Sequence, residues 1–288
     1  MKLAINAQQL ASTCTLAEVL DRVAKLDVHA VELWPHNLPG GTTPEEKERW
    51  ETKDVRKAAR VLRDRDMTVA CVTLGFDALP FILREGTVAD VTAALEGAVD
   101  AAETLGATLV NGYLAGVPAS TFVEAAIPAA RHAGTKGVTL VLENEAHDDS
   151  ATAAEVLDIL EAVDSPNLKT LFDPCNYFQA GEDPCTSAYE TLKDHIGYVH
   201  FKGGMVYAGG AGVHRGGTFR GSTDRYIGYG PLAESAFDVA DVVQRLKRNG
   251  YDGFVTLEPH VPPEHVETLL AADVAYLRKL LDAPPSGR

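Results

Sequence analysis

Four side chains able to bind a metal each stand at the end of an apolar run. They are Glu143 in Leu142-Glu143-Asn144, Asp173 in Phe172-Asp173-Pro174, His200 in Val199-His200-Phe201-Lys202, and Glu258 in Leu257-Glu258-Pro259-His260. An ionised carboxylate carried into apolar surroundings without a partner shifts its pKa rather than keep its charge. A shared cation removes that cost. A salt bridge to Lys or Arg would explain any one of the four, but four on successive runs point to one joint metal site. Three carboxylates and one imidazole form a hard, oxygen-rich donor set, which favours Mn2+, with Mg2+, Co2+ or Zn2+ as alternatives. Such an ion polarises a carbonyl and a neighbouring hydroxyl while a carboxylate abstracts the proton on the adjacent carbon. The chemistry expected is isomerisation or epimerisation.

Converging four residues that are so far apart in sequence requires a particular architecture. Short apolar runs recur at Lys2–Asn6, Ala30–Trp34, Thr68–Leu74, Thr108–Asn111, Thr139–Glu143, Lys169–Asp173, Tyr198–Lys202 and Gly253–Glu258, and helical spacing follows each. Continuous apolar strands such as Val138-Thr139-Leu140-Val141-Leu142 suit a parallel sheet covered on both faces. Leu16, Val19, Leu20, Val23 and Leu26 share one helical stripe, with Thr15 as N-cap. Thr43-Pro44-Glu45-Glu46 opens a helix expected to run to about Arg65, and Thr87 with Asp90 opens the next. Further helices are expected over Pro118–Ala133, Thr152–Val163, Pro184–Asp194, Pro231–Asn249 and Pro263–Leu281. Eight strand–helix units without a composition break predict an α/β fold, a single-domain (β/α)8 TIM barrel over residues 1–282 with a disordered tail at 283–288. In such a barrel the working residues sit where strands end, which is where the four stand.

Composition narrows the function classes. At 288 residues, with 45% hydrophobic and 23% charged residues, the chain reads as an ordinary globular protein of barrel size. A net charge of −15 argues against nucleic acid as a partner, because such proteins set Lys and Arg against phosphates. No apolar run reaches the roughly 20 residues of a membrane span, and the start lacks a signal-peptide pattern, so no membrane partner and a cytoplasmic location are expected. Cys14, Cys71, Cys175 and Cys185 form no CxxC pair and are expected as reduced thiols.

At these strand ends the sequence resembles the xylose isomerase-like barrel superfamily, and within it the sugar phosphate isomerase/epimerase group, which includes ketose 3-epimerases and inosose isomerases. The resemblance covers nearly the whole chain. It rests on Val31-Glu32-Leu33-Trp34, Leu142-Glu143-Asn144, Phe172-Asp173-Pro174-Cys175-Asn176, Val199-His200-Phe201-Lys202, and Gly250-Tyr251-Asp252-Gly253 leading to Leu257-Glu258-Pro259. It implies that Glu143, Asp173, His200 and Glu258 bind the metal, and that Glu143 and Glu258 act as the acid/base pair on opposite faces of a sugar or cyclitol, through an enediolate. It also implies substrate contacts from Asn176 and Lys202. Two positions depart from the pattern. Val206 stands where many members carry an arginine, which leaves that contact missing or supplied by Arg215 or Arg220, and Gly228-Tyr229-Gly230 stands where Gly-Glu-Gly is usual.

The remaining candidates have two readings each. Trp34, with His36, either walls the pocket beside a sugar ring or packs the barrel top. Glu32 is a buried salt-bridge partner or a substrate contact. His147 and His260 follow ligand positions and could be either pocket or surface residues. Residues 203–230 are expected as a long Gly-rich loop after strand seven, a mobile lid bringing His214 and Arg215 to substrate or a dimer contact; self-association into a homo-oligomer is compatible with the latter. A metal-dependent lyase or dehydratase on an oxidised sugar or glycoside is the rival chemistry. An endonuclease-IV-like enzyme would need further histidines and a basic face that the sequence does not show.

Overall fold

A computed structural model describes residues 1–12, 14–75, 87–208 and 215–284. Its strands in chain order are β1 (Lys2–Asn6), β2 (Ala30–Leu33), β3 (Thr68–Thr73), β4 (Leu109–Gly112), β5 (Thr139–Glu143), β6 (Leu168–Phe172), β7 (Ile196–Phe201), β8 (Gly203–Ala208), β9 (Arg215–Thr218), β10 (Arg225–Gly230) and β11 (Phe254–Leu257). Strands β1 to β7 and β11 close into a barrel in which every neighbouring pair is parallel, and β11 completes the circle between β7 and β1. Helices ring the outside, so the protein is a single-domain (β/α)8 barrel, as the alternation of runs predicts. No described helix is long and apolar enough to cross a membrane.

Local sequence sets most of the helix starts. Thr15 with Glu18, and Thr152 with Glu155, form capping boxes that satisfy backbone N–H groups otherwise left open at Leu16–Lys25 and Ala153–Val163. Leu16, Val19, Leu20 and Val23 are the buried stripe of the first of these.

Inside the barrel, the two-residue repeat of a strand arranges side chains in storeys. Ala4, Ala30, Val141, Leu171 and Tyr198 belong to one small buried apolar cluster. Two residues further along the same strands stand Asn6, Glu32, Glu143, Asp173 and His200. The lower storey is therefore an apolar plug, and the storey above it is polar.

Several expected elements differ. The helix expected from Thr43 to Arg65 is broken into Pro44–Lys47, a 3-10 turn at Trp50–Thr52, and Val55–Arg63. Burial of Trp50 breaks it. The indole N–H donates to the Thr73 carbonyl at 3.0 Å, Thr52 Oγ1 turns back on the Glu46 and Arg49 carbonyls, and Asp54 caps a fresh helix. The Pro184–Asp194 helix is a π turn at Pro184–Ala188 followed by Tyr189–Leu192, and that of Pro231–Asn249 is a 3-10 turn at Leu232–Glu234 followed by Val239–Arg248. An unforeseen helix, Pro174–Ala180, starts directly on Asp173, whose carboxylate caps it. The expected loop over residues 203–230 contains an antiparallel sheet ordered β8-β10-β9, paired from Gly203↔Gly230 to Ala208↔Arg225. The glycines hid the alternation of Met205-Val206-Tyr207 and Tyr226-Ile227. Residues 209–214, with His214, and the end of the tail, 285–288, lie outside the described residues. None of the four cysteines is in a disulfide.

One buried charge makes stability depend on pH. The Asp273 carboxylate, on Pro263–Asp282, accepts from the Leu232 backbone N–H at 2.9 Å, yet burial raises its pKa to about 7. The folded state then holds a proton that the unfolded chain releases near pH 4, so stability falls as pH climbs from about 4 through about 7, by up to about 4 kcal/mol. Asp273→Asn keeps an acceptor for Leu232 and removes the charge. Its thermal midpoint should exceed that of the parent at pH 8, with the gap closing toward pH 4; a gap independent of pH would refute this account.

Candidate metal centre

The polar storey takes one side chain from the end of every barrel strand: Asn6, Glu32, Thr73, Asn111, Glu143, Asp173, His200 and Glu258, all buried. Their partners run around the ring. Asn6 Nδ2 donates to Glu32 Oε1 at 3.0 Å and to Glu258 Oε1 at 3.3 Å; Thr73 Oγ1 donates to Glu32 Oε1 at 2.6 Å; Asn111 Nδ2 donates to Glu143 Oε2 at 2.7 Å. Neutral amide and hydroxyl groups from β1, β3 and β4 thus hold the carboxylates at fixed rotations.

Glu143, Asp173, His200 and Glu258 each turn one ligand atom to a common point, and these atoms lie within 4.8 Å of one another. His200 Nδ1 stands 3.3 Å from Glu143 Oε1 and 3.7 Å from Glu258 Oε2. His200 Nδ1 makes no hydrogen bond among the described residues, and Asp173 Oδ2 has only an ion-pair contact. The Lys202 ammonium is 2.8 Å from that Asp173 oxygen and 2.8 Å from Glu258 Oε2, so it neutralises part of the cluster without saturating it. With Glu32 counted, four carboxylates face the Lys202 ammonium and the His200 ring. An orphaned buried donor atom, an oxygen-rich set and uncompensated negative charge fit a divalent cation.

The titration of the cluster reflects the same crowding. Burial pushes the Asp173 carboxyl up despite Lys202, with the Glu258 and Glu143 charges adding to it. Burial acts the same way on Glu258, but Lys202, His260 and His200 outweigh it and hold that carboxyl well below the usual range. For His200, burial is outweighed by the Glu32, Glu143 and Glu258 carboxylates, which raise its pKa well above the ordinary value.

Glu32 explains why His200 presents Nδ1. It is fully buried and accepts from Tyr198 OH at 2.9 Å, and its Oε2 lies 2.6 Å from His200 Nε2. A carboxylate only accepts, so Nε2 carries the proton and Nδ1 faces the cluster, the carboxylate–histidine arrangement that orients metal ligands. Of the two readings for Glu32, the buried ion-pair partner is correct and a substrate contact is not.

Above the centre lies a cavity of about 890 Å3. Trp34, Asn176, Lys202, His147 and His260 all line it. Trp34 is fixed by its indole N–H donating to Asn6 Oδ1 at 3.0 Å and is 2% exposed, so both readings, wall and packing, apply to it. Asn176 spends its Nδ2 on the Asn144 carbonyl at 2.7 Å. His147 Nε2 donates to the Thr218 carbonyl at 2.8 Å, tying β9 to the barrel mouth. Arg220 pairs with Glu155 through two bonds of 3.1 and 3.0 Å, so it does not replace the arginine missing at Val206. Arg215 begins β9, next to cavity-lining Gly216.

Sequence reasoning missed three groups. Asn6, Thr73 and Asn111 carried a readable signal, since each ends an apolar run as the four candidates do. Glu145 lines the cavity two residues after Glu143, and burial with the Glu143 charge pushes its carboxyl well above the usual range. Tyr229 lines it too, from the Gly-Tyr-Gly that departs from the family pattern.

Barrel and site together define a class. A family model described as xylose isomerase-like TIM barrel matches residues 20–280, and the chain belongs to that family. Among solved structures it is similar to the probable 3-DHS dehydratase AsbF, involved in petrobactin synthesis, from Bacillus anthracis, with 16% identity, a TM-score of 0.69, and coverage of 96% of this chain and 99% of that one. An L-ribulose 3-epimerase aligns at 17% identity and a TM-score of 0.69 over 100% of both chains. A D-allulose 3-epimerase from Methylomonas sp., seen with D-allulose, aligns at 18% identity and a TM-score of 0.68 over 97% of this chain and 96% of that one. At such identities the likeness is one of fold. No curated protein matches the chain.

Glu32→Gln replaces the carboxylate that orients His200 with a neutral amide. Mn2+ affinity, measured by calorimetric titration, should fall roughly 10- to 100-fold; an unchanged affinity would exclude the orienting role.

Proposed function

We propose that the protein is a divalent-metal-dependent isomerase or epimerase of a keto-sugar or cyclitol, with Glu143 and Glu258 as the acid/base pair. The observation that carries this reading is the convergence of four strand-end donors whose ligand atoms lie within 4.8 Å of one another, with His200 Nδ1 making no hydrogen bond among the described residues. Held by Glu143, Asp173, His200 and Glu258, a divalent ion, Mn2+ by preference of so hard a donor set, would supply Lewis acidity toward a carbonyl and its neighbouring hydroxyl.

The chain's own groups do the rest. Glu143 and Glu258 stand on β5 and beyond β11, three strands apart around the mouth, which suits one to each face of a sugar between them. One carboxylate takes the proton from the carbon beside the carbonyl, and the enediolate so formed receives a proton from the other face or at the neighbouring carbon. Lys202 contacts Glu258 at 2.8 Å and favours its ionised, basic form; an ammonium with three donors has one left for a substrate oxygen after Asp173 and Glu258. Asn176 and Trp34 border the substrate, and Trp34, anchored on Asn6, offers an apolar edge that limits water.

A second reading keeps the proton abstraction and ends in elimination. It draws on the likeness to a probable dehydratase and on the altered wall at Val206 and Tyr229. In D2O an isomerase or epimerase returns an isomeric sugar carrying deuterium, whereas a lyase releases a fragment or loses water. Glu258→Gln should lower kcat on any accepted keto-sugar by at least about 100-fold. Undiminished turnover in that variant would end the assignment.

A further inference from the structure

Two of the three candidate carboxylate ligands are already held by a cation that belongs to the chain. Lys202 follows His200 by two residues, so the alternation of β7, continued one step past its end, turns its side chain to the same inward face, and it is only 6% exposed. Its Nζ stands 2.8 Å from Asp173 Oδ2 and 2.8 Å from Glu258 Oε2. These two contacts are not equivalent. Asp173 Oδ1 accepts from the backbone N–H groups of Cys175 and Asn176 at 2.8 and 3.1 Å, capping Pro174–Ala180, which leaves Oδ2 as the oxygen this residue can offer to an ion. Among the described residues Lys202 supplies the one ion pair to that oxygen. Glu258 depends on Lys202 less, since Oε1 accepts from Asn6 Nδ2 at 3.3 Å and His260 Nε2 lies 3.2 Å from Oε2.

An ammonium and a divalent ion compete for the same feature, negative charge on oxygen, and repel each other at short range. Sharing Asp173 Oδ2 would set the two cations side by side in a buried place. The cavity gives the ammonium somewhere else to turn. The Tyr229 ring centroid lies 5.9 Å from Nζ, a cation–π distance. Glu145 lines the same cavity and is near enough to feel the Lys202 charge. Gln9, His147, Asp148 and Gln179 keep that wall polar, so an ammonium turned toward it remains among groups that solvate it.

We propose that Lys202 is a built-in counter-ion of the metal-free centre and yields Asp173 Oδ2 when a divalent ion binds, turning toward Tyr229 and Glu145 while keeping Glu258. The inference rests on the metal-binding reading of that centre. Only an ion pair is exchanged, and no covalent bond changes. Without metal, the ammonium spares the fold a buried Asp173 charge that nothing else pairs. With metal, one of its three N–H donors stays on Glu258 and two are free for substrate oxygens, so the loaded enzyme alone presents the full donor set.

Lys202→Gln removes the charge and keeps an N–H donor. In calorimetric titration its Mn2+ affinity should exceed that of the parent by at least about tenfold, because no resident cation has to be displaced. Its metal-free thermal midpoint should fall by at least about 5 °C, as expected when one partner of a buried ion pair is lost. A crystal structure of the parent with Mn2+ supplies the readout that simple charge repulsion would not move. There Nζ should stand beyond about 4 Å, the limit of an ion pair, from Asp173 Oδ2 and within it from Glu258. An ammonium still on Asp173 beside the bound ion, or gone from both carboxylates, would overturn the proposal, as would a Lys202→Gln variant with unchanged or weaker Mn2+ binding. The parent structure decides even where the variant does not fold. Mn2+ bound with Lys202 in place removes the handover alone and leaves the centre and its assigned reaction standing. Failure of parent and variant alike to bind Mn2+, Mg2+, Co2+ or Zn2+ removes the centre and the handover with it.

Discussion

Buried negative charge at the barrel mouth is the constraint on which the site depends. Three carboxylates turn oxygens to one point within 4.8 Å, with Glu32 behind them. At that separation, and with an effective dielectric constant near 20, each like-charged pair costs roughly 3 kcal/mol. Three such pairs approach the whole stability of an ordinary domain, about 5–15 kcal/mol. Lys202 offsets part of this from one side. A divalent ion at the common point would offset the rest.

The barrel supplies the geometry at little local cost. Because inward positions recur every second residue and the strands are in fixed register, one polar residue at the end of each run is enough to make a ring. Only half of that ring meets the cation point. The other half, Asn6, Glu32, Thr73 and Asn111, holds the ligands in rotation through hydrogen bonds of 2.6 to 3.3 Å. Donor atoms set by buried side chains on strands are fixed more firmly than donors on loops.

The barrel and its four candidate ligands were legible because both leave short-range marks: runs of the right length, caps, and a charged residue where a run stops. Glu32 was visible but ambiguous, since only the distance to His200 distinguishes an orienting carboxylate from a substrate contact. The break at Trp50 was not legible, because the Thr43 capping signal and the helical spacing after Asp54 are both real and a tertiary contact with Thr73 separates them. The sheet β8-β10-β9 was hidden for the opposite reason. Glycines at 203, 204, 216, 217, 228 and 230 read as loop punctuation, yet at Gly216 the absence of a side chain lets an aromatic ring lie against the strand.

That sheet also walls the cavity above the ring, through Gly216 and Tyr229. It is fastened from outside the ring of ligands: Phe219 packs edge-on against Phe178 at 5.4 Å, Arg225 lies over the Phe219 ring at 4.2 Å, Arg220 grips Glu155, and the Thr218 carbonyl accepts from His147 and Gln179. None of these contacts involves Glu143, Asp173, His200 or Glu258. The strands of the barrel can therefore keep a metal-binding storey constant while the segment between β7 and β11 changes the wall above it. Tyr229 is where the two meet: its ring lies beside Lys202 and His260, and both of these contact Glu258.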